Sequence, residues 1–346
     1  MNIEKMISPT IRSIPPSGIR KYFDLVNEMK DVISLGIGEP DFVTPWNVRE
    51  AGIYSLEKGY THYSSNAGFI ELRREIAAYL KRKYSLEYRP EDQIVVTVGA
   101  SEGIDVALRA LIEPGDEVII PEPSFVAYKG CAVFARAVPV IIELREEDQF
   151  KLTPELLERA ITEKTKVLIL PYPNNPTGAI MNENDLKKIV EILKDKDIIV
   201  ISDEIYAELT YEGKHVSIAS FPEMKEKTIV INGFSKAFAM TGWRLGYACG
   251  HPAVIDAMKK IHQYAIMCSP TTAQHAAIEA LKNSDDDVQA MVREYNGRRR
   301  IMVDGFRKAG LDCFEPLGAF YTFPCIKKTG LTSDEFCERL LMEEKV

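Results

Sequence analysis

Several familiar signatures are missing from this chain, and each absence removes a class of function. The start, "MNIEKMISPT", carries no cationic segment leading into an apolar one, and no run of about 18 apolar residues occurs anywhere, so neither a secretory leader nor a membrane span is expected. The expected location is cytoplasmic. There is no basic arm or stripe: the net charge of −8 arises from interspersed acids and bases, which excludes a nucleic-acid or anionic-membrane footprint. The six cysteines lie scattered, without a CxxC pair or a nearby histidine spacing, so neither a disulfide framework nor a zinc site is expected. The five histidines form no HExxH, and metal-dependent hydrolysis has no support; no metal site is expected. GxxxxGK[ST] is absent, and "LGIG" at Gly36 and Gly38 lacks the third glycine and following helix of a dinucleotide fingerprint. No internal repeat or low-complexity tract occurs.

What remains is a chain of 346 residues, 46% hydrophobic, long enough for two domains. From about residue 94, short β-branched runs alternate with charged-faced helical segments, the pattern of a largely parallel α/β sheet. The strand candidates are "QIVVTV", "DEVIIP", "VPVIIEL", "KVLILPYP", "DIIVISD", "TIVINGF" and "LGYACG". They are continuously apolar rather than alternating, as strands covered on both faces are. Between them fit the helices "SEGIDVALRALI", "TPELLERAI" with Thr153 as cap, and "NENDLKKIVEILKD" with Asn182 as cap. Near residue 281 the pattern changes to one long polar-faced helix, then "GAFYTFP" as a strand, then "TSDEFCERLLMEEKV" as a helix that meets the chain end without a glycine cap. The expected division is an N-terminal arm with part of the small domain (1–44), a large domain (45–282), and a small C-terminal domain (283–346) that looks unfinished.

Ligands of open α/β sheets bind beyond the carboxyl ends of the strands, so the residues there carry the functional information. "VTVGASEG" stops a strand at Gly99 and starts a helix near Ser101, which suits a phosphate cradle, although capping by Ser101 explains it equally. "IIVISDEIY" puts Asp203 at the mouth of a buried sheet, as a helix cap or as the partner of a cationic ring nitrogen. "LPYPNNPTG" is a rigid turn able to aim one asparagine amide inward, and its Asn175–Pro176 bond is a candidate for the cis form. Lys236 follows "TIVINGF" at the same sheet edge, beside Ser235 and near Arg244, a hydroxyl and a planar cation suited to phosphate. With a P-loop excluded, the chemistry left for Lys236 is a Schiff base. Pyridoxal phosphate offers an aldehyde for the lysine, a phosphate for Ser235 and Arg244, and a ring nitrogen for Asp203.

At this point the chain resembles the fold-type I pyridoxal-phosphate aminotransferases of class I/II, in the branch of the aspartate and aromatic enzymes. The matching stretches, in family order, are "SGIRK", "LGIGEPDF", "THYSSNAG", "VTVGASEG", "PEPSFVAY", "NNPTG", "SDEIY", "SKAFAMTGWRLG" and "GAFYTFP". The resemblance implies a three-layer α/β/α large domain with a mostly parallel seven-stranded sheet, plus a smaller α+β domain. It implies amino-group exchange between an L-amino acid, of aspartate or aromatic type, and a 2-oxo acid such as 2-oxoglutarate. Lys236 would form the Schiff base and shuttle the proton, Asp203 would keep the pyridine nitrogen protonated, and Tyr206 and Asn175 would bond the ring oxygen. Phe125 would stack on the ring. Gly99, Ala100 and Ser101 would hold the phosphate, closed by Ser235 and Arg244. Gly38 would line the substrate carboxylate. Tyr63 matches a tyrosine that reaches the phosphate from the other subunit, which implies a homodimer with shared sites. The family's carboxylate-gripping arginine lies well beyond "GAFYTFP", about where this sequence reaches Val346, and no residue here is assigned to it. Two other outcomes fit much of the pattern: a C–S β-lyase on the same cofactor, and a non-catalytic protein that keeps the fold.

Overall fold

The computed structural model describes residues 3–15, 29, 31–36 and 38–346; the "SGIRK" motif lies outside the described residues, as does Ile37 of "LGIGEPDF". All seven expected strands form: β1 (Ile94–Thr97), β2 (Glu117–Glu122), β3 (Val138–Glu143), β4 (Thr165–Leu170), β5 (Ile199–Asp203), β6 (Thr228–Gly233) and β7 (Gly246–Cys249). They make one sheet in the order β1-β7-β6-β5-β4-β2-β3. Every pairing is parallel except the two made by β7, which runs antiparallel to β1 and β6. A mostly parallel sheet is what the continuous apolar runs imply, because each face must be covered.

The covering helices are α1 (Trp46–Glu57), α2 (Ile70–Tyr84), α3 (Gly99–Leu111), α4 (Ala127–Phe134), α5 (Pro154–Ala160), α6 (Glu183–Leu193), α7 (Pro252–Ala265), α8 (Thr271–Asn283) and the long α9 (Asp285–Lys308). Alternate strand residues sort into different layers. Val118, Ile120, Val167, Ile169, Ile201, Ile229 and Ile231 pack with Ile104 and Leu108 of α3, Ala132 of α4 and Ile255 and Met258 of α7. Their neighbours Ile119, Leu168, Leu170 and Val200 point the other way, to Leu157 of α5 and Leu186, Ile189 and Leu193 of α6. Toward the β1 edge, Val96, Val230 and Tyr247 meet α2, α8 and α9 through Ile76, Ala277 and Met291. The result is the three-layer arrangement expected.

Local signals hold where the side chain can do what the cap demands. Thr153 accepts from Leu156 N, and Asn182 forms a reciprocal capping box with Asp185. Two expectations fail. The helix after β1 begins at Gly99 with Val98 in the cap position, so Ser101 is an exposed residue of the first turn and caps nothing. No helix starts at Asp203 either; its Oδ1 accepts from Ile205 N at 3.2 Å within a turn.

"GAFYTFP" is likewise not a strand. Only Pro324–Cys325 (β9) extends, pairing with Asp312–Cys313 (β8). The reason lies in where its backbone groups go. Ala319 N donates to Leu209 O, Tyr211 N donates to Leu317 O, and Gly318 N donates to Gly178 O. Ala319 has φ +54°, which breaks the pleat and turns both Phe320 and Tyr321 onto Tyr206. The segment is stitched to the loops that follow β4 and β5. The terminal helix α10 (Ser333–Arg339) forms, with Thr332 and Glu335 as its capping box.

Candidate active site

A cavity of about 640 Å3 opens beyond the carboxyl ends of β2, β4, β5 and β6. It collects Gly38, Ala100, Ser101, Phe125, Asn175, Asp203, Tyr206, Ser235, Lys236 and Arg244, residues spread over most of the sequence. Gly99 stands directly behind: with φ +77°, any Cβ there would lie 2.7 Å from Arg244 Nη2. Tyr63 is the exception. It does not line the cavity, and it is 80% exposed.

The three walls are built differently. At the start of α3, Gly246 of β7 lacks the side chain that would strike Ala100 N at 2.6 Å, so the strand presses close under the Gly99–Ser101 turn. The N–H groups of that first turn have no intrahelical partner, and the positive helix end faces the cavity with Ser235 and Arg244 across from it. Arg244 adopts φ +53° and is steadied by Nη1 donating to Thr241 O at 3.1 Å.

The floor is Asp203, 5% exposed. Tyr128 donates its phenol proton to Asp203 Oδ2 at 2.7 Å. Burial pushes the carboxyl up to about 6, although the Tyr128 hydrogen bond pulls it down. A buried acid with so little compensation is poised to receive a cation.

Lys236 lines the same cavity. Its Nζ donates to Gly38 O at 2.5 Å and lies 5.7 and 5.5 Å from the ring centres of Tyr206 and Phe320. Burial lowers the ammonium to about 8, with Glu39 opposing that shift and Arg244 adding to it. A minor but far larger fraction of the amine than in an exposed lysine is therefore neutral and nucleophilic near physiological pH. Tyr206 shares a 2.5 Å hydrogen bond with Tyr321, and burial raises both phenols, Tyr321 to about 12.

The two asparagines of "NNPTG" divide their work. Asn174 is fully buried and staples the turn, accepting from Thr177 N and Oγ1 and donating to Pro123 O. Asn175 faces the cavity, and the Asn175–Pro176 bond is cis. Among the described residues, no group of His, Cys, Asp and Glu side chains is placed to hold a metal ion.

The family profile for "Aminotransferase class I and II" matches residues 30–346. The chain belongs to the class I and II aminotransferases. The aspartate aminotransferase of Pyrococcus abyssi is 45% identical over 98% of this chain and 88% of its own length. The aromatic-amino-acid aminotransferase 2 of Thermococcus litoralis is 42% identical over 98% of this chain and 88% of its own length. Among solved structures, the aspartate aminotransferase of Thermus thermophilus with maleate superposes with a TM-score of 0.93 at 37% identity, covering 97% of this chain and 89% of that one.

Sequence reading missed several groups that shape the site of this aminotransferase: Tyr128, Tyr321, Glu39, Thr241 and Gly246. Tyr128 had a usable signal, since it follows Phe125 by three residues at a helix start and the two rings meet edge to face at 5.6 Å. Tyr321 had none, because its position depends on the turn at Ala319.

Proposed function

We propose that this aminotransferase works with pyridoxal 5'-phosphate, moving an amino group between an L-amino acid of aspartate or aromatic type and a 2-oxo acid such as 2-oxoglutarate. The observation that carries the reading is one cavity in which the half-buried Lys236 amine, the buried Asp203 carboxylate and the glycine-lined turn under Arg244 all converge. These residues fit the cofactor. At Gly99, where a Cβ would meet Arg244 Nη2, the backbone N–H groups of the turn and the guanidinium come together as phosphate oxygens require, and the buried Asp203 carboxyl, raised to about 6, would be drawn back down by a ring cation.

When bound, the cofactor supplies an aldehyde for amine exchange and a ring that withdraws electrons from the substrate carbon. The protein's own residues do the rest. Lys236 Nζ, as the neutral amine, is the group that would hold the aldehyde and, when free, the base that would move the proton at the substrate carbon. Asp203 Oδ2, oriented by the Tyr128 phenol, would keep a proton on the ring nitrogen. Asn175 and the Tyr206 phenol would hold the ring oxygen, and Phe125 would lie against the ring. The Gly99–Ser101 turn, Ser235 and Arg244 would hold the phosphate, and Gly38 would border the substrate carboxylate.

The same reading makes the enzyme a cytoplasmic homodimer. Tyr63 would complete the partner's phosphate site, and Trp46, Tyr54, Tyr60, Tyr264 and Met267 are, like Tyr63, exposed large apolar side chains of the kind a subunit interface covers. All six cysteines are free, and among the described residues no helix is long and apolar enough to cross a membrane. It also divides the chain into an N-terminal arm (1–44), a large domain (45–282) and a small domain (283–346).

The test is the visible spectrum of the purified protein with added cofactor. A yellow band should form and be bleached by an amino donor, then return with a 2-oxo acid. A panel of aspartate, phenylalanine and tyrosine names the donor class. No band on saturation with cofactor would contradict the reading.

A further inference from the structure

Helix α3 begins without a usable cap. Val98 occupies the cap position, and valine has no side-chain acceptor, so the turn that faces the cavity has to be held by other means. The group that replaces the cap is Glu102, from within the helix. Its Oε2 accepts from Val98 N at 2.5 Å, and its Oε1 accepts from His262 Nδ1 at 2.7 Å. The His262 side chain is fully enclosed at the end of α7, and that of Glu102 is 10% exposed. Among the described residues His262 Nε2 has no hydrogen-bond partner, and the ring's hydrogen bond is the one to Glu102.

We propose that Glu102 and His262 are positioning residues that set the direction of the Gly99–Ser101 N–H groups, and so the grip on the phosphate. Three contacts fix this turn from behind. Thr97 Oγ1 donates to Gly99 O at 2.9 Å, Gly246 packs under Gly99 and Ala100, and the Glu102 carboxylate ties back Val98. Thr97 and Gly246 come from the neighbouring strands β1 and β7, whereas the carboxylate ties the turn to α7 through His262. The inference rests on the phosphate assignment made above.

A bland alternative has to be separated from it. An acid in the first turn of a helix stabilises that helix through the macrodipole, whatever the turn binds. Such an acid next to a bound phosphate is also repulsive, so under that alternative neutralising Glu102 leaves phosphate binding unchanged or makes it tighter. Under our proposal neutralisation weakens it, because a glutamine amide accepts from only one of the two donors and turns its NH2 against the other.

The experiment compares pyridoxal 5'-phosphate with pyridoxal, which lacks the phosphate, on cofactor-free protein. Glu102→Gln and His262→Leu should each weaken the phosphorylated probe by roughly tenfold, the effect of one charge-assisted hydrogen bond, while pyridoxal binds as to the parent. His262→Asn, whose amide nitrogen can stand where Nδ1 stands, should restore most of the affinity. Hydrogen exchange over residues 94–104 should rise in the first two variants and recover in the third. Equal losses for both probes, or unchanged or tighter binding of the phosphorylated probe, overturn the proposal. Arg244→Gln is the control. If it loses phosphate selectivity and Glu102→Gln does not, the cofactor reading stands and this inference falls; if neither loses it, the phosphate assignment falls as well.

Discussion

Tyr128 and Asp203 are 75 residues apart in the sequence, yet the phenol of one donates to Oδ2 of the other at 2.7 Å in the buried floor of the site. That bond is the main counterweight to the burial that raises Asp203 to about 6. Tyr128→Phe removes it at nearly constant volume. The carboxyl should then hold its own proton more tightly and a ring cation less well. The amino-transfer turnover should fall about tenfold, with little change in KM for the amino donor.

Asp203 itself carries a stability cost that the cofactor relieves. Its folded value of about 6 lies above the ordinary 3.8, so the cofactor-free fold binds the proton more tightly than the unfolded chain between those values. The stabilisation is complete below 3.8 and is lost as pH rises through about 6. At neutral pH, cofactor-free Asp203→Asn should be more stable than the parent by about 2 to 3 kcal/mol, and inactive. The gap should close as the pH approaches 4 in paired melting curves, and added cofactor should stabilise the parent more than the variant.

Gly99 tests the cradle. Its φ of +77° and the 2.7 Å approach of Arg244 Nη2 leave no place for a Cβ. Gly99→Ala should cost about 1 to 3 kcal/mol from backbone strain. It should also displace the guanidinium, so cofactor affinity should drop more than the loss of stability explains. Calorimetric titration alongside thermal unfolding checks both.

The paired asparagines should separate structure from chemistry. Asn174→Ala unpins Thr177 and Pro123 in a fully buried turn and should destabilise the protein by about 2 to 3 kcal/mol. Asn175→Ala should leave the melting temperature near the parent's while lowering turnover, since its side chain faces the cavity.

The parts of this molecule legible in the sequence are those with local causes. Seven strands were readable because apolar runs such as "KVLILPYP" are buried on both faces, and Thr153 and Asn182 cap the helices they precede. Lys236, Asp203 and Asn175 were readable because chain ends of parallel strands converge at one edge. What could not be read has long-range causes. "GAFYTFP" has the composition of a strand, but its hydrogen bonds go to Leu209, Tyr211 and Gly178, and that is what delivers Tyr321 to Tyr206. The cap at Ser101 failed for a similar reason: Glu102 and His262 already hold the turn.

The central claim is that Lys236 is the lysine that bonds the cofactor aldehyde. Borohydride reduction of the cofactor-loaded protein, followed by peptide mass spectrometry, tests it most directly. The account predicts a reduced adduct on Lys236, absent from Lys236→Ala and from protein given an amino donor first. In cofactor-free protein, the pH dependence of its formation should be governed by an amine near 8 rather than the ordinary 10.5. An adduct on a different lysine, or none at all on Lys236, would contradict it.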